Sequence, residues 1–106
     1  IAYVDGTLTV NPAALSVTAN DRTKTYGQTV TFAGTEFTAS GLQNLETIGS
    51  VTLASAGAAP TATVAGSPYA ISASNATGGS FDPGNYAITY NDGALAVNPA
   101  PLTVTA

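Results

Sequence analysis

The stretch Tyr86–Pro99, YAITYNDGALAVNP, decides how the chain folds. Tyr86, Ile88 and Tyr90 alternate with small or polar residues, the period of a strand with one face turned to a core. Asn91-Asp92-Gly93 interrupts that alternation and Ala94–Val97 resumes it. An Asp-Gly pair between two such runs predicts a β-hairpin, with Asp92 and Gly93 supplying the positive φ values of a tight turn. Asn98-Pro99 then closes the second strand, because proline gives no amide to a ladder and holds the residue before it extended.

The same stretch occurs a second time. Ile1–Ala19 (IAYVDGTLTVNPAALSVTA) and Ile88–Ala106 (ITYNDGALAVNPAPLTVTA) match at 13 of 19 positions at a constant offset of 87. Turn, junction and following strand recur in one order, so the chain reads as one complete repeat flanked by parts of two others. Residues 13–99 are the complete β-rich repeat, residues 1–12 the closing hairpin strand and junction of the repeat before it, and residues 100–106 the first strand of the next. With no leader segment at its start, the chain reads as an internal piece of a longer protein. The junctions Asn11-Pro12 and Asn98-Pro99 are too short and too stiff for a flexible linker.

Between the junctions the pattern is mostly that of strands. Leu15–Ala19 (LSVTA) and Leu102–Ala106 (LTVTA) alternate, and Tyr3–Val10 repeats the Asp-Gly hairpin. Thr29–Phe32, Glu36–Ala39, Val51–Ala54, Thr61–Val64 and Tyr69–Ala73 are further candidates. Leu42, Leu45 and Ile48 stand at helical spacing, which predicts one helix of at most two turns between Gly41 and Gly49. Gly57–Pro60 and Ser74–Ser80 read as loops.

Composition narrows the chemistry. The chain of 106 residues has no Cys, Met or Trp and no His, so disulfides, thiolate chemistry and imidazole chemistry are excluded within it. Two basic residues, Arg22 and Lys24, against six acidic ones give a net charge of −4, which argues against binding nucleic acid or an anionic membrane surface. Charged residues make up only 8%, and no apolar run reaches the length of a membrane span. A chain without Cys, Met or His, residues that oxidise or bind metals, suits a long-lived extracellular protein.

Ala14–Gly27 (ALSVTANDRTKTYG), Gly41-Leu42, Ser67–Ser72 (SPYAIS) and Asn85–Val97 (NYAITYNDGALAV) together resemble the YGX-type MBG domain. That resemblance spans nearly the whole 87-residue unit. It implies a β-grasp-like sheet, an immunoglobulin-like β-sandwich being the alternative. It also implies a place among the tandem repeats of large bacterial surface and secreted adhesin-like proteins, the filamentous-haemagglutinin type included. It brings no catalytic residue to map onto this chain.

The motif residues have structural roles to fill. Tyr26 is expected to lie against the sheet edge, with Gly27 making a turn other residues resist. Tyr69, Tyr86 and Tyr90 are expected to cap the core, although five tyrosines could instead form a sugar-stacking platform. Asp92, Gly93, Asn98 and Pro99 shape the turn and the joint. Lys24 reads as an exposed edge residue; an isopeptide bond to Asn85 or Asn91 is the sharper alternative. Asp5, Asp21, Asp82 and Asp92, with Asn20 and Asn85, raise calcium, but no run of closely spaced carboxylates supplies the converging oxygens the ion needs. Glu36 and Glu46 lie in different elements, in a domain too small to form a glycosidase cleft. Gly78-Gly79 lacks the lysine of a phosphate loop. Asn75-Ala76-Thr77 is an N-glycosylation sequon in form.

The reading is thus of an all-β or mostly β module, not an enzyme, with no cofactor, no metal and no identified ligand site. It would stiffen a head-to-tail stalk at a bacterial cell surface or in a secreted fibre, with neighbouring copies of the same repeat as its partners. The alternative is an adhesive module that itself binds glycans or host protein.

Overall fold

A computed structural model describes residues 2–105; the Ile1/Ile88 and Ala19/Ala106 ends of the sequence match fall partly outside that range. Seven strands follow in order: β1 (Ala13–Ala19), β2 (Arg22–Thr25), β3 (Phe37–Ser40), β4 (Ile48–Ala54), β5 (Tyr69–Gly79), β6 (Tyr86–Asn91) and β7 (Gly93–Asn98). Single 3-10 turns at Ala56–Ala58 and Pro83–Asn85 are the helical elements among the described residues. The all-β expectation holds. One sheet has the order β3-β1-β6 and the other β2-β7-β5-β4.

The two sheets share one core. Leu15, Val17 and Ala19 of β1 face Ile71, Ala73 and Ala76 of β5 and Leu95 of β7, with Val30, Val51, Phe81 and Tyr86 closing the sides. Every second residue of β1 and β7 points inward, which is why their large apolar side chains recur with period two. Leu15, Val17, Ile71 and Leu95 are fully buried, each worth about 1.5–3 kcal/mol of burial.

The decisive stretch is not a hairpin. β6 and β7 belong to different sheets, and Asp92 is the step between them. β1 and β2 make the same step at Asn20-Asp21, so the chain crosses between the sheets twice, side by side. β6 runs parallel to β1 (Leu15↔Ile88), and β7 runs parallel to β2 (Lys24↔Val97). Gly93 has no positive φ; it is needed because a Cβ there would stand 2.5 Å from the Ala19 carbonyl oxygen and 2.8 Å from that of Asn20. The Asp21 carboxylate fixes the crossing by accepting from the Ala94 amide at 2.9 Å, and the Asn91 amide group donates to the Ser16 and Thr18 hydroxyls.

Other expectations are corrected. Leu42–Ile48 is not a helix: Asn44 and Leu45 both adopt positive φ (55° and 57°) in a turn, and Ile48 opens β4 opposite Gly79. β5 runs through the expected loop Ser74–Ser80 as far as Gly79, with a bulge where Ser50 and Thr52 of β4 face Thr77 and Ser74. Thr29–Phe32 and Thr61–Val64 are irregular, held by single bonds such as Val30 N–H to Ala58 O. Neither Tyr3–Val10 nor residues 102–105 form strands. The equivalents of Tyr3–Val10 within the body are held by β1, β2 and β5, and among the described residues no second set of those strands pairs with the leading arm.

The ends point apart. The described chain extends 101 Å along its long axis and 22 × 16 Å across it. Residues 2–12 and 99–105, fully extended, reach about 36 and 23 Å, which leaves roughly 40 Å for the body only if the arms leave from opposite ends.

Candidate functional site

The two ends of the body are where side chains are arranged beyond the needs of the core. At the leading end, the turn after β3 is tied down by Tyr86. Its hydroxyl donates to the Glu46 carboxylate and accepts from the Gln43 amide at 3.0 Å. The bond to Glu46 holds the Tyr86 hydroxyl above its ordinary pKa, against the opposing pull of the Gln43 amide. Between this turn and the incoming arm lies a cleft of about 340 Å³, walled by Val10, Asn11 and Pro12 on one side and by Asn44, Glu46 and Tyr86 on the other. Leu45, at the tip between Asn44 and Glu46, is 98% exposed and left-handed, a costly conformation for an apolar side chain with nothing covering it.

At the trailing end, β2 and β7 finish together. The Tyr26 amide donates to Asn98 O at 2.8 Å, and Gln28 N–H closes a turn on Thr25 O at 3.1 Å. Gly27 has φ +95°, the third position of a type II turn, as expected of it. Tyr26 itself projects from this turn and is 45% exposed. Lys24 is not the exposed edge residue expected. It is 4% exposed, and its ammonium donates to the carbonyls of Gln28 (3.0 Å) and Ala59 (2.5 Å). Lys24 is the inward-facing residue of β2, and the Ala59 carbonyl meets its ammonium there. The isopeptide geometry is not assembled: Asn85 lines the leading-end cleft and Asn91 bonds to β1.

The remaining tyrosines of the body turn inward. Tyr86 is buried, the Tyr69 hydroxyl donates to Thr63 O at 2.9 Å, and the Tyr90 hydroxyl accepts from Ala76 N–H at 3.0 Å. Tyr3, on the leading arm, is exposed. Asp92 is exposed at the crossing, and Asn98 ends β7 with Pro99 directly after it.

The carboxylates are dispersed into separate local tasks. Glu36 accepts from the amides of Ala33, Gly34 and Thr35 and pairs with Arg22 at 3.3 Å. Burial pushes its carboxyl up, but those amides outweigh it and hold the pKa below the usual value. Asp82 caps the Pro83–Asn85 turn through Gly84 N–H. Among the described residues no three His, Cys, Asp or Glu side chains gather as metal ligands, and Glu36 and Glu46 are engaged with different partners. Asn75 of the sequon lies exposed at the β5 bulge with φ 51°.

Sequence reasoning missed the leading-end cleft. Asn44, a residue that tolerates left-handed backbone, was the one local sign that Leu45 sits on a turn.

This is an all-β domain with a cleft at its leading end and an exposed turn at its trailing end. The profile of the MBG domain (YGX type) family matches residues 15–96, and the chain belongs to that family. No curated protein and no solved structure matches it significantly. Membership in that family is consistent with a repeat module of a larger protein.

Proposed function

We propose that the domain is a stiff spacer, one link of a head-to-tail stalk in a bacterial surface or secreted adhesin-type fibre. The observation that carries this reading is the disposition of the ends. The arms leave from opposite poles, and one residue, Pro99, separates the end of β7 from Ala100, the counterpart of the first residue of β1. A joint of one proline leaves no slack for the next copy to swing. Family membership and the 87-residue self-match support the neighbouring copies that the reading requires. On this reading the domain has no catalytic residue, its partners are its own neighbours, and it works outside the cell.

The adhesive alternative needs an exposed aromatic platform. Tyr69, Tyr86 and Tyr90 are committed to the body by their hydroxyls, which favours the spacer. Small-angle scattering of chains carrying one, two and three repeats tests it. The maximum dimension should rise linearly, by roughly 40 Å per added copy, as the body length worked from extended-chain reach requires. Pro99→Gly should broaden the distance distribution without unfolding the domains. Growth with the square root of repeat number overturns the spacer reading.

A further inference from the structure

We propose that the leading-end cleft is a socket for Tyr26 of the preceding copy, so that successive repeats lock through a Tyr26–Leu45 contact. The inference rests on the tandem reading and adds to it a specific interface. Val10, Asn11 and Pro12, one wall of the cleft, are the 87-offset counterparts of Val97, Asn98 and Pro99. In the body, Asn98 O accepts from the Tyr26 amide at 2.8 Å, and Thr25 lies beside Asn98 in the β2–β7 register. By the same register the preceding copy's Tyr26 amide donates to Asn11 O. Its backbone is then hydrogen-bonded to the wall of this copy's cleft.

The side chains fit that placement. Tyr26 is the tyrosine of the body left half-exposed, on a turn fixed by Gly27, Gln28 and the buried Lys24. Leu45 is a large apolar residue held out of the core in a costly conformation, on a turn pinned by the Tyr86–Glu46 and Tyr86–Gln43 bonds. Ring against leucine covers apolar area on both, and Asn44 and Glu46 beside it offer polar groups to a phenol hydroxyl. Both partners are preorganised, so little ordering cost opposes the contact. It would set the rotation of each copy about the stalk axis, which Pro99 alone does not.

The absence of cysteine makes crosslinking a clean test. A two-copy chain results from following residue 106 with residues 20–106. Tyr26→Cys in the first copy and Leu45→Cys in the second alter only exposed side chains. A disulfide needs Cα atoms within about 7 Å. The pair should crosslink at least about tenfold faster than Tyr26→Cys with Thr38→Cys, because docking raises the effective concentration of the thiols. Thr38 is an exposed β3 residue opposite Thr18, towards the far end of β1. Leu45→Ser offers a second reading in the cysteine-free two-copy chain. In the second copy it should lower the melting temperature and widen the interdomain distances; in the first, which has no Tyr26 before it, it should do neither. Crosslinking no faster than the control, or equal effects of Leu45→Ser in both copies, overturns the socket. Scattering on the same chain separates the two claims: a rod without crosslinking sinks the socket alone, and a flexible pair sinks the spacer as well.

Discussion

Gly93→Ala should destabilise the domain, whereas the same change at Gly6, its counterpart in the leading arm, should not. A Cβ at Gly93 would meet three backbone atoms, the Ala19 O and C and the Asn20 O, at 2.5–3.0 Å, and none of them can rotate away. Relieving the overlap means prising the β6–β7 crossing off the β1–β2 crossing, at about 1–3 kcal/mol. Alanine also restricts the unfolded chain, which returns about 0.4–1 kcal/mol. The net loss of about 1–2 kcal/mol corresponds to roughly 5–15 °C in Tm for a domain of this size. At Gly6 nothing lies within 4 Å, so Gly6→Ala should leave the melt where it is. Gly93→Asn separates two explanations of the glycine. A hairpin turn with positive φ tolerates asparagine, while a close backbone approach rejects any Cβ, so Gly93→Asn should cost at least as much as Gly93→Ala. Thermal melts by circular dichroism decide it. If Gly93→Asn melts with the parent while Gly93→Ala does not, residues 91–93 form a turn and the paired crossing is wrong.

Two further outcomes follow from the polar anchors. Lys24→Met keeps the buried stem but removes the donor to Gln28 O and Ala59 O, and urea melts should show a loss of about 1–3 kcal/mol; an unchanged midpoint would mean that the two carbonyls are served equally well by water. Glu36 has its folded pKa below the ordinary value, so its contribution is complete above that value and is lost as pH falls through the folded pKa. Melts from pH 7 down to pH 3 should therefore lose stability in acid, with a shallower loss in Glu36→Gln, and parallel curves would exclude Glu36 as the source.

The strands whose pattern is local were legible before the fold was known. Leu15-Val17-Ala19 and Tyr86-Ile88-Tyr90 carry their inward face in their own spacing, and both are strands, the first with that face buried and the second with Tyr86 buried and Ile88 and Tyr90 half-buried. What failed was set at a distance. Asp92-Gly93 has the local form of a hairpin turn, and only Ala19 and Asn20, more than 70 residues earlier, make it a crossing between sheets. Leu42, Leu45 and Ile48 have helical spacing, but Glu46 is drawn to Tyr86 and Ile48 to Gly79, so the segment turns over Asn44 and Leu45 instead. Lys24 sits in a run of polar residues that says surface. Its burial depends on Ala59, on the far side of an irregular loop. The poles were foreshadowed only by the Asn-Pro junctions, because a cleft made by an arm and a distant turn has no signature in either alone.

The two parallel pairs give the domain a particular response to tension. A pull on both ends draws β1 from its start and β7 from its end, in opposite directions along the long axis. β1 is bonded to β6 and β2 to β7, each pair parallel. Their ladders are thus loaded in shear, all hydrogen bonds at once, whereas a hairpin peeled from its open end gives way bond by bond. Resistance to such loading is a matter of unfolding rate and not of equilibrium stability. The strands of the β1–β6 and β2–β7 pairs, which must find each other across some 70 residues to close the domain, are the same strands that would bear the load.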